Sequence, residues 1–518
     1  MHDDTTRQTL GDLLRRTRMR HPHKLAIRCG STDWTYAEFD DTCNRLAGGF
    51  AAHGVETGDR VAVIARNSHA FAALRFALAR LGAVLVPINF MLSAEEARYI
   101  LAHSGASLLC VDTGFADLGR VASSGTAVRE LVWLPSEDPT EPVPGLVHFD
   151  ALLAHGEAPA RTLSGDMLAQ IIYTSGTESR PKGAMLTHAA VISEYVTCLV
   201  DAEITEHDRI LHALPLYHCA QLDVFLGPAV YVGATNIITG KPTADKLLSL
   251  LASNAIHSFF APPTVWIALL RAPQFDGTDL SALRKGYYGA SIMPVEVLKE
   301  IQVRLPQVRL WNLYGQTEIA PVATVLKPED QLRKAGSAGR PALNVETRVV
   351  DDAMQDVPPG TVGEIVHRSP QLLSGYFKDE ERTREAFQGG WFHSGDLATV
   401  DDEGYITVVD RKKDMIKSGG ENVSSREVEE ALYAIPGVSE VAVIGLPDPR
   451  WIEAVVAVVV AKQGHTLDEA EVIAACAGRL APFKTPKRVI LADALPKNPS
   501  GKLLKRELRL RYAPSHES

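Results

Sequence analysis

Helix-like and strand-like segments alternate along most of the chain, and this alternation restricts the fold more than any other feature of the sequence. The apolar run Arg60–Asn67 has the pattern of a buried strand, the stretch from His69 to Leu81 that of a helix, and Ala83–Asn89 that of a second strand. Strands that alternate with helices form parallel sheets through helical crossovers. We therefore predict an α/β fold in which helices cover a large N-terminal lobe of parallel or mixed sheets.

The pattern changes towards the C-terminus. A strand, a charged break, a second strand, a Gly-Gly turn and a helix follow one another, and two further apolar strands come after them. Ser424, with Glu427 three positions later, has the sequence of a capping box, which places the start of the helix there. This succession predicts a small α+β C-terminal domain with its boundary at Asp410–Lys413. The predicted domains are residues 1–410 and 411–518.

Charge and composition argue against several classes of protein. The formal net charge of −10 disfavours nucleic acid as the main partner. The polar, acidic start of the chain lacks the apolar core of a secretory signal, and its most apolar run, Ala454–Ala461, is far too short to span a bilayer. The six cysteines include no CxxC pair, which favours reduced, buried thiols. We expect a cytoplasmic protein without stable membrane insertion, and a homodimer is left open.

The sequence YTSGTESRPKG, at Tyr173–Gly183, has the composition of a phosphate-binding loop, with small hydroxyl residues, glycines and a lysine. It does not match the Walker A sequence GxxxxGK[ST], because a match that starts at Gly176 requires a Gly-Lys pair where Pro181 and Lys182 stand. A P-loop nucleotide hydrolase is therefore disfavoured. Glu178 places a carboxylate where a polyanion would approach, and its effect has to be explained.

The same loop resembles the YTSGTTGxPKG motif of the adenylate-forming superfamily, which contains acyl-CoA synthetases, non-ribosomal adenylation domains and firefly-type luciferases. Nine of its eleven positions agree, and the exceptions are Glu178 and Ser179. Four further segments resemble motifs of this superfamily in the same order: YGQTE at Tyr314–Glu318, GWFHSGDLA at Gly390–Ala398, VDRKKDMIKSGGENVSSREVE from Val409, and PKNPSGKLLKREL at Pro496–Leu508. On these motifs the chain is identified as a member of the acyl-CoA synthetase, or fatty-acid–CoA ligase, family over nearly its whole length.

The resemblance implies a reaction in two steps. A carboxylate is a poor electrophile, so it is first joined to AMP with release of pyrophosphate, and the thiol of coenzyme A then attacks the acyl-AMP. Phosphoryl chemistry of this kind depends on positioning and on the neutralisation of charge. ATP and coenzyme A are the implied co-substrates, and Mg²⁺ is the implied metal, which Glu318 would bind through carboxylate oxygen.

The resemblance also implies which residues serve each step. The groups expected at the phosphates are Thr174, Ser175, Gly176, Thr177, Lys182 and, beside the α-phosphate, Thr317. Those expected around adenine and ribose are Gly289, Ala290 and Ser291 of the YYGAS segment, Tyr314, Gly315, Gln316, Asp396 and Arg411. Lys502 is the implied catalytic cation of adenylation and Lys413 the implied hinge of a mobile C-terminal domain. Gly419 and Gly420 would line the path of the thiol, since glycine allows a close approach.

The segment ALPLYHCAQLDVF, Ala213–Phe225, resembles the border of the acid pocket in the family, with Tyr217, His218 and Leu222 at the acid. Amino-acid adenylating relatives have an aspartate where His218 stands, so an α-amino acid is disfavoured, although Asp223 lies nearby in sequence. His218 is expected to act at the reaction centre as a gating residue. The apolar neighbours favour a medium- or long-chain fatty acid, with an aromatic, branched or polyketide-derived acid as the alternative.

Two questions stay open at the level of sequence: the acceptor and the effect of Glu178. Coenzyme A is the preferred acceptor, because ten lysines and arginines between Gly478 and Arg511 could meet its phosphates, and because neither a carrier domain nor an obvious insertion is present. A solvated helix face is the other interpretation of that charge, and an acyl-AMP ligase that loads a carrier protein is the alternative function. Glu178 could point to solvent, pair with a cation such as Arg180, or weaken ATP binding in an inactive acyl or nucleotide binder. A luciferase-like oxygenase is a more remote alternative.

Overall fold

The computed structural model describes residues 6–174, 181–289, 291, 293–412, 414–419, 421–462, 464–497 and 503–513. Its contacts divide the chain into two compact units. The first consists of Met1–Glu346 and His367–Phe392, and the second of Thr347–Val366 and His393–Ser518. The predicted boundary at 410/411 concerns a hinge movement, and it stays a prediction.

Two mixed sheets form the centre of the first unit. In spatial order, the eight-stranded sheet consists of Gly375–Tyr376, Lys182–Thr187, Leu168–Thr174, Val84–Pro87, Arg60–Ile64, Leu108–Val111, Glu130–Trp133 and Val147–His148. The nine-stranded sheet consists of Arg340–Pro341, Val322–Leu326, Arg309–Gly315, Lys285–Gly289, Ser258–Phe260, Arg209–His212, Thr235–Ile238, Leu25–Cys29 and Thr32–Thr35. Central strands pair in parallel, and antiparallel pairs lie towards the edges. The predicted α/β class with parallel and mixed sheets is confirmed.

Helices connect these strands and cover the sheets. Those of the first unit are Leu10–Arg20, Tyr36–Ala52, His69–Leu81, Ala94–Ser104, Ala116–Ser123, Phe149–Leu153, His188–Asp201, Cys219–Gln221, Gly227–Val232, Ala244–Ser253, Pro263–Arg271, Val295–Arg304 and Glu380–Ala386. A π-helical turn occupies Leu222–Leu226, and 3₁₀ turns occupy Thr113–Phe115, Phe275–Gly277, Thr317–Ile319, Pro328–Asp330 and Gln388–Gly390. The faces towards the sheets are apolar, as crossover helices require.

The second unit contains two smaller sheets. The four-stranded sheet is Glu346–Val350, Gly363–Arg368, Phe392–Val400 and Ile406–Arg411. The five-stranded sheet is Glu421–Val423, Ile416–Ser418, Ile452–Ala461 and Val438–Asp448, with Arg488–Leu491 beside Ile452–Ala461. The helices are Ser425–Tyr433, Glu469–Ala477 and Lys505–Tyr512. Antiparallel pairing around the two long apolar strands gives the predicted small α+β domain its core.

The helix predicted to start at Ser424 begins there, but only half of the predicted capping box forms. The Ser424 hydroxyl accepts a hydrogen bond from the backbone N–H of Glu427 at 3.2 Å. The Glu427 carboxylate does not return the bond, because it pairs with the ammonium of Lys484 at 2.6 Å. A cation from a distant segment therefore replaces the second capping contact.

All six cysteines are buried free thiols, as their scatter in the sequence predicted. Among the residues that the structure describes, none of the helices combines the length and the apolar character that a bilayer crossing needs.

Candidate active site

The YGQTE motif ends a strand and forms a tight turn. The strand Arg309–Gly315 runs into Gly315, and the 3₁₀ turn Thr317–Ile319 follows. A Cβ at Gly315 would lie 1.7 Å from the carbonyl oxygen of Pro321, so only glycine permits this close approach of the backbone. The turn places the side chains of Thr317 and Glu318 directly after the carboxyl end of a parallel strand, where ligand sites of α/β sheets lie.

Glu318 is connected through Tyr376 to Lys182, the first residue of the strand that follows the phosphate loop. Its Oε1 accepts a hydrogen bond from the hydroxyl of Tyr376 at 3.1 Å, and its carbonyl oxygen accepts the N–H of Leu373 at 2.8 Å. The ammonium of Lys182 lies 5.3 Å from the centre of the Tyr376 ring. Burial, followed by the nearby charge of Glu318, raises the pKa of Tyr376, so this hydroxyl stays protonated and donates. The predicted phosphate residue Lys182 and the predicted metal ligand Glu318 are thus joined through Tyr376.

The two ends of the phosphate loop meet as paired strand residues. Thr174 ends the strand Leu168–Thr174, and it pairs with Lys182 at the start of the next, antiparallel strand. Just before the loop, the hydroxyl of Tyr173 lies 2.7 Å from Nδ1 of His103. The predicted phosphate contacts Ser175, Gly176 and Thr177, together with Glu178 and Ser179, lie outside the described residues. The alternatives for Glu178 therefore stay as the sequence left them.

A cysteine joins the predicted α-phosphate residue to the predicted acid pocket. The Cys219 sulfur lies 3.3 Å from Oγ1 of Thr317 and 3.7 Å from Nδ1 of His218. His218 caps the short helix Cys219–Gln221, and its Nδ1 accepts the N–H of Ala220 at 3.3 Å. A neutral imidazole in this arrangement has its proton on Nε2. His218 and Thr317 are therefore neighbours, although 99 positions separate them in the sequence.

The other predicted pocket residues lie in apolar surroundings. Tyr217 and Leu222 are buried in the same hydrophobic cluster. The ring of Tyr217 meets that of Phe90 edge to face at 5.2 Å, and Phe90 stacks on Phe115 at 5.0 Å. The guanidinium of Arg66 lies 5.2 Å from the centre of the Phe115 ring. The sequence analysis did not identify these aromatic neighbours, because they come from distant strands and loops.

Asp223 does not offer a free carboxylate for the amine of an amino acid. It lies fully buried in the π-helical turn Leu222–Leu226. Its Oδ1 pairs with Arg75 at 3.0 Å, and its Oδ2 accepts a hydrogen bond from Gln170 at 2.7 Å. The hydroxyl of Tyr195 lies 3.4 Å from Oδ1. Both oxygens therefore have buried partners.

The two tyrosines of the YYGAS segment pack in the hydrophobic core of the first unit. The Tyr287 ring stacks on Trp311 at 5.2 Å, and its hydroxyl donates to the carbonyl of Ala202 at 2.7 Å. The Tyr288 hydroxyl donates to Oε1 of Gln331 at 2.6 Å. Because successive side chains of a strand point to opposite faces, the two rings pack on the two sides of a sheet that is covered on both. The expectation that this segment lies at adenine concerns its later residues, Gly289, Ala290 and Ser291, and it stays a prediction.

Those later residues lie at the end of the neighbouring strand. Gly289 is the buried last residue of Lys285–Gly289, Ser291 is exposed, and Ala290 lies outside the described residues. Tyr314 is half-buried at the end of the adjacent strand. Beside it, the Nε2 of Gln316 is buried and has no hydrogen-bond partner within the part of the chain that the structure describes. An unsatisfied buried donor is costly, so this amide fits a group with an acceptor atom, such as a nucleotide.

The predicted ribose residues come together in the second unit. Asp396 on Phe392–Val400 is the strand partner of Arg411 on Ile406–Arg411. The Arg411 Nε lies 3.1 Å from Oδ1 of the buried Asp396 carboxylate. The implied hinge residue Lys413 lies outside the described residues, and so does the implied catalytic Lys502.

An indole ring lies beside the predicted path of the thiol. Gly419 has a φ of +63° and donates its N–H to the carbonyl of Trp451 at 2.7 Å. A Cβ at Gly419 would lie 3.1 Å from the Trp451 ring, so glycine keeps this face of the backbone thin. The guanidinium of Arg450 and the ammonium of Lys487 lie 4.8 Å and 5.0 Å from the ring centre. Gly420 lies outside the described residues.

Four of the described cations in the basic C-terminal stretch are paired with acids of their own unit. These pairs are Lys484 with Glu427, Lys497 with Glu440, Lys505 with Glu429, and Arg509 with Asp414, at 2.6 to 2.8 Å. Their acids lie on preceding elements, so the local excess of positive charge is smaller than the sequence suggested. Lys487 differs because it lies over Trp451, where burial and the positive charge of Arg450 lower its pKa.

The carboxylate of Glu318 fits Mg²⁺ held together with a nucleotide. Among the described residues there is no cluster of three or more histidines, cysteines and acids. Mg²⁺ needs no such cluster, because it keeps several waters and binds through one or two carboxylates and the phosphates of its substrate. Glu318 is buried, and its one described side-chain hydrogen bond occupies Oε1. Its chemistry is thus that of a single carboxylate ligand.

Comparison with known proteins gives the same assignment. The family model described as AMP-binding enzyme matches residues 14–377, and that described as AMP-binding enzyme C-terminal domain matches residues 427–502. A feruloyl-CoA synthase from Amycolatopsis is 40% identical over 96% of this chain and 98% of its own. The long-chain-fatty-acid–CoA ligase FadD13 of Mycobacterium tuberculosis is 37% identical over 98% and 99%.

The fold comparison agrees with the sequence comparison. The crystal structure of ATP-bound MatB from Rhodopseudomonas palustris matches with a TM-score of 0.88 and 31% identity, covering 98% of this chain and 99% of that one. Both family models, the coverage at these identities and the geometry around Thr317 and Glu318 agree. The chain therefore belongs to the adenylate-forming superfamily of AMP-binding enzymes and, within it, to the AMP-forming acyl-CoA synthetases.

Proposed function

We propose that the enzyme activates a hydrophobic carboxylic acid, with a medium- or long-chain fatty acid as the first candidate. A carboxylate oxygen of the acid attacks the α-phosphorus of ATP, pyrophosphate leaves, and the sulfur of coenzyme A then displaces AMP from the acyl carbon. The observation that supports this choice is the contact Thr317–Cys219–His218. It joins the predicted α-phosphate residue to the predicted acid segment, in which the nearby Asp223 is bonded to buried partners.

Each predicted site residue has an expected task in this reaction. Thr174 and Lys182, at the two ends of the loop, would contact the β- and γ-phosphates, and the Thr317 hydroxyl would donate to the α-phosphate. Glu318 would hold Mg²⁺, which supplies charge neutralisation of the phosphates when bound. Asp396 would accept hydrogen bonds from the ribose hydroxyls. Lys502 would place an ammonium between the attacking carboxylate and the α-phosphate.

An aromatic acid is the second candidate. Phe90 and Phe115 stack beside Tyr217, and ring faces of this kind suit an aryl group. One relative that covers nearly the whole chain is a feruloyl-CoA synthase, and another is an indoleacetate–CoA ligase. For both candidates His218 would lie between acid and nucleotide, with Nδ1 accepting the N–H of Ala220 and Nε2–H directed to the carboxylate.

Mass spectrometry of the products tests the substrate class. The purified protein is incubated with Mg·ATP and a panel of saturated fatty acids, aryl acids and α-amino acids, with and without coenzyme A. We expect acyl-CoA and AMP from apolar acids when coenzyme A is present, and none from amino acids. Acyl-AMP that is never converted to a thioester would favour a carrier-protein acceptor. No product from any acid would contradict the proposal.

The surroundings of Trp451 lead to a prediction about coenzyme A. An aromatic face with two cations suits the base and phosphates of a nucleotide, and stacking of one base contributes about 1–3 kcal/mol. We expect Trp451→Ala to raise the KM for coenzyme A roughly tenfold and to leave acyl-AMP formation unchanged. Steady-state kinetics with varied coenzyme A, and pyrophosphate release without it, measure the two effects.

Two lysines of one segment supply the matched control for this prediction. Lys487 lies over Trp451, whereas Lys484 pairs with Glu427. Lys487→Ala should raise the same KM, and Lys484→Ala should leave it within about twofold, because a paired, partly exposed cation contributes little. Equal effects of the two substitutions would mean that general charge, and not the indole face, attracts coenzyme A.

A further inference from the structure

A buried carboxyl group lies behind the YGQTE turn, and the functional assignments above do not use it. Glu194 is fully buried on the helix His188–Asp201. Its Oε1 accepts hydrogen bonds from the backbone N–H of Val322 at 3.1 Å and from the thiol of Cys198 at 3.2 Å. Its Oε2 accepts one from Nε2 of Gln371 at 2.5 Å. Within the described ranges no cation pairs with this carboxyl group, so hydrogen bonds alone offset its burial.

Gln371 also forms hydrogen bonds to the residues that directly follow the YGQTE turn. Its side chain is fully buried, and its Nε2 is also 3.0 Å from the carbonyl oxygen of Val322 and 3.3 Å from that of Ile319. Its Oε1 accepts the hydroxyl of Thr197 at 2.6 Å. Glu194 and Gln371 therefore bond to three backbone groups of the four-residue segment 319–322.

That segment directly follows Thr317 and Glu318 and adopts an unfavourable conformation. Ala320 has a φ of +69°, in the left-handed region that residues with a side chain seldom adopt. Such a conformation persists where surrounding contacts determine it. The contacts that determine it here come from Glu194 and Gln371, on both sides of Ala320.

The segment after Gln371, which includes the strand Gly375–Tyr376, also contacts the functional residues. The N–H of Leu373 donates to the carbonyl of Glu318, and the Tyr376 hydroxyl donates to its carboxylate. A buried carboxyl group is costly compared with an apolar side chain of similar size. Its neighbours on the helix, Val191, Tyr195 and Cys198, show that this face is otherwise apolar or weakly polar. The polar group at position 194 instead serves the segment 319–322, because an apolar side chain there would leave the N–H of Val322 unpaired.

We propose that Glu194 and Gln371 are positioning residues for adenylation, which fix the segment 319–322 and thereby aim the Thr317 hydroxyl and the Glu318 carboxylate at Mg·ATP. The proposal rests on the proposed roles of Thr317 and Glu318. It predicts that these two buried side chains control the contribution of Mg²⁺ to ATP binding, although neither reaches the nucleotide.

Calorimetric titration of the full-length protein with ATP, once with Mg²⁺ and once with a chelator, tests the proposal. In Glu194→Gln one carboxylate oxygen becomes an NH₂ group. This group faces a donor, either the N–H of Val322 or the amide of Gln371, so at least one of these hydrogen bonds is lost. We expect the wild type to bind ATP more tightly with Mg²⁺, and we expect this gain to fall roughly tenfold in the variant. Thioester formation from supplied acyl-AMP should stay within about twofold.

Two neighbouring substitutions separate positioning from general stability. Cys198→Ala removes a contact of Glu194, and Thr197→Val removes a contact of Gln371, and both leave the bonds to segment 319–322 in place. These controls should lower the midpoint of thermal unfolding by a comparable amount and keep the Mg²⁺-dependent gain. Gln371→Met, which keeps the shape without the hydrogen bonds, repeats the test if Glu194→Gln does not fold.

A failure of this proposal can be distinguished from a failure of the proposed substrate class. An unchanged Mg²⁺-dependent gain in both Glu194→Gln and Gln371→Met would overturn the proposal. So would an equal loss of that gain in the Cys198 and Thr197 controls, because the effect would then follow stability. Nucleotide binding needs no acid, so a wild type that binds Mg·ATP but converts none of the acids would refute the substrate assignment and leave this test intact.

Discussion

Replacing Lys502 by alanine is expected to slow acyl-AMP formation by about 10²–10³-fold, the usual effect of removing one preorganised donor to developing charge. The attacking carboxylate and the α-phosphate are both anions, and their approach needs a cation between them. Transfer of the acyl group from supplied acyl-AMP to coenzyme A involves no such encounter, so it should continue. Pyrophosphate release measures the first step, and thioester formation from synthetic acyl-AMP measures the second.

A lysine of the same segment provides the control for Lys502. Lys497 pairs with Glu440 at 2.6 Å, so Lys497→Ala removes a cation of the same motif that already has a partner. We expect its adenylation rate to stay within about threefold of the wild type, as for other partly exposed ion pairs. Lys502→Arg, which keeps charge but changes its geometry, should recover only part of the rate. Normal adenylation by Lys502→Ala would contradict the assigned role.

The elements that the sequence predicted well are those with local signals. The helix predicted over His69–Leu81 has these bounds in the structure. Ser68 accepts the N–H of Phe71 at its start, and Gly82 follows its end, so both ends are encoded next to the helix. The neighbouring strand was predicted as Ala83–Asn89 but spans only Val84–Pro87. Apolar residues continue beyond those that pair with neighbouring strands, so the sequence pattern overestimates its length.

The contacts that organise the candidate site could not be predicted from local patterns. Glu194 and Gln371 are 177 positions apart, and their hydrogen bonds to residues 319–322 involve backbone groups, which leave no trace in residue type. Tyr287 and Tyr288 show the same limit. A tyrosine in an apolar strand has the same pattern whether it faces a ligand or the core, and only the partners of the two hydroxyls distinguish these cases.

The same limit applies to the charges. The basic C-terminal stretch was counted along the sequence, but Glu427, Glu429 and Glu440 neutralise lysines of that stretch from other elements. In the acid segment, Asp223 was a candidate for an amine, and Arg75, 148 positions away, pairs with it. Residue type gives the chemistry that is available, and the tertiary partners determine whether a ligand can use it.

The pair Arg75–Asp223 gives the largest expected effect on stability. Arg75→Met should lower the free energy of unfolding by about 3–5 kcal/mol, because it leaves an uncompensated carboxylate in the core. Burial already raises the pKa of Asp223, and Arg75 is the main group that lowers it, so the pKa should rise further in the variant. Urea unfolding followed by the fluorescence of buried tryptophans such as Trp266 and Trp311 measures the loss.

The pH dependence and a second substitution make this prediction specific. A carboxyl group whose folded pKa lies above its unfolded pKa binds its proton more tightly in the folded state. The deficit of Arg75→Met should therefore shrink as the pH falls through the raised pKa towards the unfolded value. Arg75→Met combined with Asp223→Leu should recover most of the stability, since an apolar replacement leaves no buried charge. Arg271→Met, which breaks the exposed pair with Glu300, should cost less than about 1 kcal/mol. A double variant as unstable as Arg75→Met alone would show that packing, and not the unpaired carboxylate, causes the loss.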